Sequence, residues 1–217
     1  MNQGITGNGN VLEETRDLSG FDRIHISSGI DVLLSEGEDF GVRVEADENL
    51  MEVIETKLTG STLEVGTDKV NIRSAKSRKV HVTMPELKVL KISSAGDCYG
   101  QTPFHCGDLR ISISSAGDLK IEVDAKRIDL DMSSSGDARI SGSAEEFKVN
   151  ISSAGDLHAF DLVAGRVDVD VSSAGDARVH ATEEISMSVS SAGDIYYTGD
   201  AEVIRSTRTS AGSIVKR

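Results

Sequence analysis

The sequence predicts an all-β fold: a right-handed parallel β-helix with about 19–20 residues per coil and a less regular β region at its N-terminal side. Three observations predict it. A five-residue unit, Ser-Ser-Ala-Gly-Asp, recurs at near-even spacing; apolar and polar residues alternate between the units; and large side chains are scarce.

The unit stands at Ser93–Asp97, Ser114–Asp118, Ser133–Asp137 (with Ser135 for Ala), Ser152–Asp156, Ser172–Asp176 and Ser190–Asp194, and decays at Thr209–Ser213. Its glycines, at 96, 117, 136, 155, 175, 193 and 212, lie 21, 19, 19, 20, 18 and 19 residues apart. A period near twenty marks a repeat architecture. Between units Leu119, Ile121 and Val123 alternate with polar residues, and Ile128, Leu130 and Met132 do so again before the next unit. Equivalent sets return at Phe147, Val149, Ile151, at Val167, Val169, Val171 and at Ile185, Met187, Val189. Period-two alternation means short half-buried strands. Such strands bury little alone, so a core requires that successive repeats stack in register. At about 3.3 Å per residue one repeat spans some 60 Å of path, enough for a flattened coil and too little for a strand–helix–strand crossover. Twist makes the expected connections right-handed. An antiparallel meander with a hairpin at each Gly-Asp is the competing arrangement, but it would not require the same five residues at every second turn.

Composition narrows the functional classes. Aromatics are 4%, Trp is absent, Pro is 2 and Gly is 21, so apolar area must come from thin repeated layers of Ile, Val, Leu and Ala. With 23 basic against 36 acidic residues the net charge is -13. That balance disfavours nucleic acid and anionic membranes as partners. No apolar run approaches the roughly 18 residues of a membrane-spanning helix. The opening Met1–Asn10 has neither the basic start nor the apolar stretch of an export signal, so the chain is either cytosolic or written without its signal.

The unit itself reads as a corner. Ile111, Ile113, Ser115, Gly117, Leu119 and Ile121 share odd numbering, which places Ser115 and Gly117 on the inward face. Glycine supplies either torsional freedom or close backbone approach, and inward hydroxyls could bond one another or a carbonyl. The aspartate then points outward, and stacking puts Asp118, Asp137, Asp156, Asp176 and Asp194 in a column at about 4.8 Å spacing. Each adjacent pair repels by roughly 0.9 kcal/mol even at the dielectric of water. Two residues further on stand Lys120, Arg139, His158, Arg178 and Tyr196, a partly basic column that can offset the repulsion by cross-strand pairing. We therefore read a solvated charge ladder whose aspartates also bond local backbone; a row of divalent cations on the same five aspartates is the alternative. No cofactor is expected.

Cys98 and Cys106 flank a seven-residue segment. They suit either a disulfide-closed loop in an oxidising compartment or two small buried thiols. His105 beside Cys106 does not complete the paired spacing of a structural zinc site. Near the C-terminus Ile204, Ser206 and Arg208 occupy slots that are apolar in earlier coils, so the last coil reads as a polar cap against end-to-end pairing. Upstream, Ser27-Ser28-Gly29-Ile30-Asp31 is a divergent unit 67 residues before Gly96, counted between glycines. Short β-like runs follow at Val42 and Val44, Leu63 and Val65, Val70 and Ile72, and Val80 to Met84. Glu48 to Leu58 suits a helical turn or a strand. The expected organisation is an arm over 1–19, an irregular β subdomain covering one end over 20–90, and the regular β-helix over 91–217.

Phe21-x-x-Ile24-x-Ile26-Ser27-Ser28-Gly29-Ile30-Asp31-Val32, Val80-x-Val82-x-Met84-Pro85-x-Leu87-x-x-Leu90-x-Ile92 and the serial units together resemble the auto-transporter adhesin family, head GIN domain, of bacterial secreted and envelope proteins. The resemblance spans nearly the whole chain. It implies a β-helix, export behind a signal since removed, an extracytoplasmic location and an adhesive role toward an extracellular glycan or protein. It supplies no catalytic residues. Two other classes compete. A polysaccharide-acting enzyme would use paired outward carboxylates such as Asp129 and Asp131 with Asp168 and Asp170, yet the short connections leave little to build a substrate groove. An envelope scaffold would polymerise through ends or walls, which the acidic balance and polar last coil oppose.

Overall fold

The structure, a computed structural model, describes residues 4–67, 70–133, 135–172, 174–190, 192–209 and 211–217. The second serines Ser134, Ser173, Ser191 and Ser210 of four units, and the opening Met1-Asn2-Gln3, lie outside the described residues. The N-terminal strands are β1 (Ile5–Thr6), β2 (Val11–Arg16), β3 (Arg23–Ile26), β4 (Asp31–Glu36), β5 (Gly41–Asp47), β6 (Ile54–Thr59), β7 (Thr62–Thr67), β8 (Ile72–Ser74) and β9 (Arg78–Met84). The repeat region holds β10 (Val89–Ser93), β11 (Asp97–Gly100), β12 (Phe104–Ser114), β13 (Leu119–Met132), β14 (Ala138–Ile151), β15 (Leu157–Val171), β16 (Ala177–Val189), β17 (Ile195–Thr198), β18 (Glu202–Arg208) and β19 (Ile214–Lys216).

Each long strand is bent between two walls. In β13 Leu119, Ile121 and Val123 are buried, alternation then slips through the exposed Lys126 and Arg127, and Ile128, Leu130 and Met132 are buried again. All pairings from β10 to β19 are parallel, and the β13–β14 register is 19 residues throughout, from Leu119 opposite Ala138 to Met132 opposite Ile151. The meander is thereby excluded. Stacking places Ile111, Leu130, Val149, Val169 and Met187 over one another, each 0 or 1% exposed. Full burial of one such side chain stabilises by roughly 1.5–3 kcal/mol.

The N-terminal stretch adds windings in a shuffled order. β3 and β4 lie directly beneath β10 and β11, with Ile26 opposite Ile92 and Asp31 opposite Asp97. The later strands β7 and β9 lie beneath β3 and β4 in turn, again parallel. The chain thus lays one winding, goes under it to lay another, and then climbs over both. This accounts for the long interval before Gly96: spatial neighbours here are not sequence neighbours. β5 and β2 extend one wall antiparallel beyond β9, and β6 extends the other beyond β7. Of the upstream runs, Ile72 falls in β8 and Val70 in a connection, and the Glu48 to Leu58 segment is both things expected of it, a single turn at Glu48–Leu50 followed by a strand. One apolar cluster runs from Phe21 to Ile195, across both stretches.

At the C-terminal end Ser206 and Arg208 sit opposite Met187 and Val189, as the slot assignment expects. The first slot is corrected: a shift after Ile185 pairs it with Val203, and Ile204 is displaced outward to 56% exposure. An irregularity at an edge strand has no further winding to hold it in register.

Candidate functional site

The corners concentrate the polar chemistry. Ser115, expected inward, is exposed, with φ +87°. The chain reverses through left-handed torsions at Ser94, Ala95 and Ser115, which throws off the parity of a continuous strand. Gly117 is inward as expected, at an unstrained φ; a Cβ there would run into the carbonyl oxygen of Gly96 below it. Close approach of stacked backbones, not torsion, is what the unit glycine provides. The first serine of the unit faces the winding below: Ser93 Oγ donates to the Ile26 carbonyl at 3.2 Å and Ser152 Oγ to that of Met132 at 3.4 Å.

The aspartates form the expected column, extended by Asp97 and Asp31. Their carboxylates are chained through backbone. Asp97 Oδ1 accepts the N–H of Asp118 at 2.9 Å, Asp118 that of Asp137 at 3.0 Å, and Asp137 that of Asp156 at 3.4 Å. Asp156 accepts from Asp176 at 3.1 Å and Asp176 from Asp194 at 3.0 Å. At each corner the side chain serves as the acceptor that a strand carbonyl supplies elsewhere, so the next winding's N–H is satisfied. These donors offset the repulsion along the column. This series of hydrogen bonds stops at Ser213, whose N–H and hydroxyl both reach Asp194 Oδ1 at 2.7 Å and which offers no carboxylate onward. These bonds hold the Asp194 carboxyl below the ordinary range. At the other end, burial and then the neighbouring Asp97 push Asp31 up, against the pull of Arg78 and Lys79.

The adjoining column is also in register: Tyr99, Lys120, Arg139, His158, Arg178 and Tyr196 lie opposite one another in successive windings. Its ends are matched. Tyr99 and Tyr196 each donate a hydroxyl to the aspartate two residues before, at 3.1 and 3.0 Å. Burial and Asp97 push the Tyr99 hydroxyl up to about 12. Arg178 and Arg217 lie over the Tyr196 ring at 5.5 and 4.9 Å. Between the two columns the structure shows the pair Arg178–Asp176 at 3.6 Å.

The opposite wall carries a column that sequence reading missed: Asp108, Arg127, Glu146, Arg166 and Glu184 alternate in sign at paired positions. Arg127 forks onto Glu146, which also takes Arg166 at 2.7 Å. Comparing charges nineteen residues apart would have revealed it. Beside it the enzyme candidates are kept apart: Lys148 intervenes between Asp129 and Asp168, and Asn150 between Asp131 and Asp170. Asn150 donates to Asp131 at 2.9 Å, and Arg205 approaches Asp168 at 3.2 Å and Asp170 at 3.8 Å. Cys98 and Cys106 are buried free thiols, each pushed up to about 12 by burial first and by nearby carboxylates second. His105 points instead to Glu36, 2.7 Å away. Among the described residues no His, Cys, Asp and Glu group assembles as a metal cage, and no helix is long and apolar enough to cross a membrane.

A parallel β-solenoid with its polar chemistry laid out as repeated columns along two walls is the class these features define. The chain belongs to the family described as Putative auto-transporter adhesin, head GIN domain, whose pattern matches residues 20–201. Solved structures share the fold. A putative adhesin from Bacteroides fragilis NCTC 9343 superposes with TM-score 0.91 at 21% identity, covering 99% of this chain and 100% of that one. A putative lipid binding protein from Parabacteroides distasonis ATCC 8503 gives 0.82 at 23%, with coverage of 99% and 100%. A putative adhesin from Parabacteroides merdae ATCC 43184 gives 0.79 at 21%, with 99% of each chain covered. No curated protein matches the chain.

Proposed function

We propose that this protein is a non-catalytic adhesive module, working outside the cytoplasm, that offers a solenoid wall to an extracellular glycan or protein. The observation that carries the reading is the distribution of polar groups. They recur at equivalent positions of successive windings and pair mainly with one another, whereas catalysis calls for a singular constellation. Membership of an adhesin family supports it. The cysteines act as core thiols on this reading, and the aspartate column acts as a backbone ladder rather than a cation row. The test is binding of the folded protein to arrays of polysaccharides and matrix proteins, with reducing-end release from the same polysaccharides assayed alongside. Saturable binding without product is expected; blank arrays, or product formation, would overturn the proposal.

A further inference from the structure

Within a chain of net charge -13, the column Lys120, Arg139, His158, Arg178 is a local exception. It lines a groove of about 330 Å³ together with Ser141, Phe160 and Asp161. The groove owes its shape to an irregularity in β15. Pairing with β14 passes from Arg139 opposite His158 to Gly142 opposite Leu162, so the β15 side holds one residue more. Such bulges re-aim side chains. Here the extra residue turns Asp161 outward where strict alternation would bury it, next to the half-buried Phe160, which alternation from His158 already places on the outer face and whose carbonyl is tied to the His180 ring at 3.3 Å. Arg178 Nη1 is buried with no hydrogen-bond partner, although its neighbour Nη2 faces Asp176.

We infer that this groove is a binding subsite for an acidic polysaccharide, one bearing sugar carboxylates, laid along the solenoid axis. The inference rests on the adhesive reading and names the class of ligand and the wall. Lys120 and Arg139 one winding apart, at about 4.8 Å, and Arg178 two windings beyond Arg139 suit anionic groups carried at a regular rise by a linear polymer, with the His158 ring as a hydrogen-bonding group between them. An aromatic face beside them takes the apolar face of a sugar ring, as aromatic platforms do at interfaces. The flanking aspartates discriminate among polyanions. Their carboxylates repel a phosphate-dense surface such as an anionic bilayer or nucleic acid, yet they accept hydrogen bonds from sugar hydroxyls.

The experiment titrates the full chain by calorimetry with oligogalacturonate, its methyl-esterified neutral form, and phosphatidylglycerol vesicles. Oligogalacturonate should bind, more tightly with length and more weakly with salt, and the esterified form should bind at least tenfold more weakly. Arg139→Ser should lower affinity on the order of tenfold, the loss of one charge-assisted bond. Phe160→Ala should lower it while leaving the salt slope unchanged, and Lys148→Ser on the opposite wall should change nothing. Melting temperatures of the variants serve as the folding control, since all three side chains point outward. Equal binding by wild type and Arg139→Ser, a loss caused by Lys148→Ser instead, or binding to vesicles alone would overturn the inference. If every acidic glycan fails while the arrays return a neutral glycan or a protein, the subsite falls and the adhesive reading stands; blank arrays remove both.

Discussion

The winding made by β3 and β4 and the windings made of Ser-Ser-Ala-Gly-Asp turn the same corner by different means. In the repeats the corner is generic: the first serine bonds the carbonyl below, the aspartate accepts the N–H above, and glycine lets backbones touch. In the N-terminal winding Ser27 Oγ keeps the bond to the carbonyl below, that of Val65 at 3.3 Å, but Ile30 stands where the repeats have glycine and Gly29 stands in the place of Ala95, Gly29 and Ala95 sharing a left-handed torsion. Around it, singular contacts do the holding. Asp47, 1% exposed, accepts the N–H of Gly9 at 2.8 Å and those of Lys76 and Ser77 at 3.0 Å. Glu45 ties Ser77 to His81, and Phe21 packs on Phe40 at 4.9 Å. A repeated corner makes the same few contacts at every winding and is tightly packed there, whereas the N-terminal end is held by contacts that each occur once.

The sharpest break of that comparison is a pair of glycine replacements. Gly117→Ala should cost about 3 kcal/mol in urea unfolding, because the new methyl group forces two windings apart. Gly29→Ala should cost only about 1 kcal/mol, since its Cβ would meet nothing closer than Arg78 Nη1 at 3.6 Å and torsional strain is the whole penalty. Equal costs would mean that the two corners do not differ as described.

Asp47→Ala should detach the N-terminal arm without unfolding the repeats. Amide exchange across β1 and β2 should rise sharply while β13 to β16 keep their protection. Uniform loss of protection would show instead that both ends form one cooperative unit.

Within the ladder, Asp137→Ala should cost about 1 kcal/mol by leaving the Asp156 N–H without its acceptor. Asp137→Asn keeps an acceptor oxygen and should stay within about 0.5 kcal/mol. Calcium should leave the melting temperature of both wild type and Asp137→Asn unchanged; a rise confined to wild type would establish the cation row.

The smallest effect expected is an opposite response to acid at the two ends of the column. The Asp194 carboxyl is held low by Ser213, so its contribution is present above the unfolded value of about 3.9 and is lost as pH falls through its folded value. Asp31 is pushed up by burial and by Asp97, so its contribution is present at low pH and is lost as pH rises through its folded value. Hydrogen exchange compared at about pH 3 and pH 6 should show β17 and β19 loosening in acid while β4 does not.

How far the site could be read in advance follows the same division. The aspartate and cation columns were legible because the repeat interval, once known, says which residues are stacked. The order of the N-terminal windings was not, since nothing local in Phe21–Leu34 signals that its neighbour in space is Val89 or Thr62. The outward Ser115 was missed because parity assumes an extended chain, and left-handed torsions at the corner break that assumption.

By itself the sequence determined the parallel stacking, the two walls and the identity of each column, because an apolar alternation repeated every nineteen or so residues can bury its faces in only one register. Tertiary structure alone decided which aspartate oxygen meets which N–H, that glycine is needed for contact rather than torsion, and that one extra residue in β15 turns Asp161 outward at the groove lined by Lys120, Arg139 and Arg178. Those outcomes depend on distances between windings, which are set when the backbones close on one another and leave no trace in the order of residues.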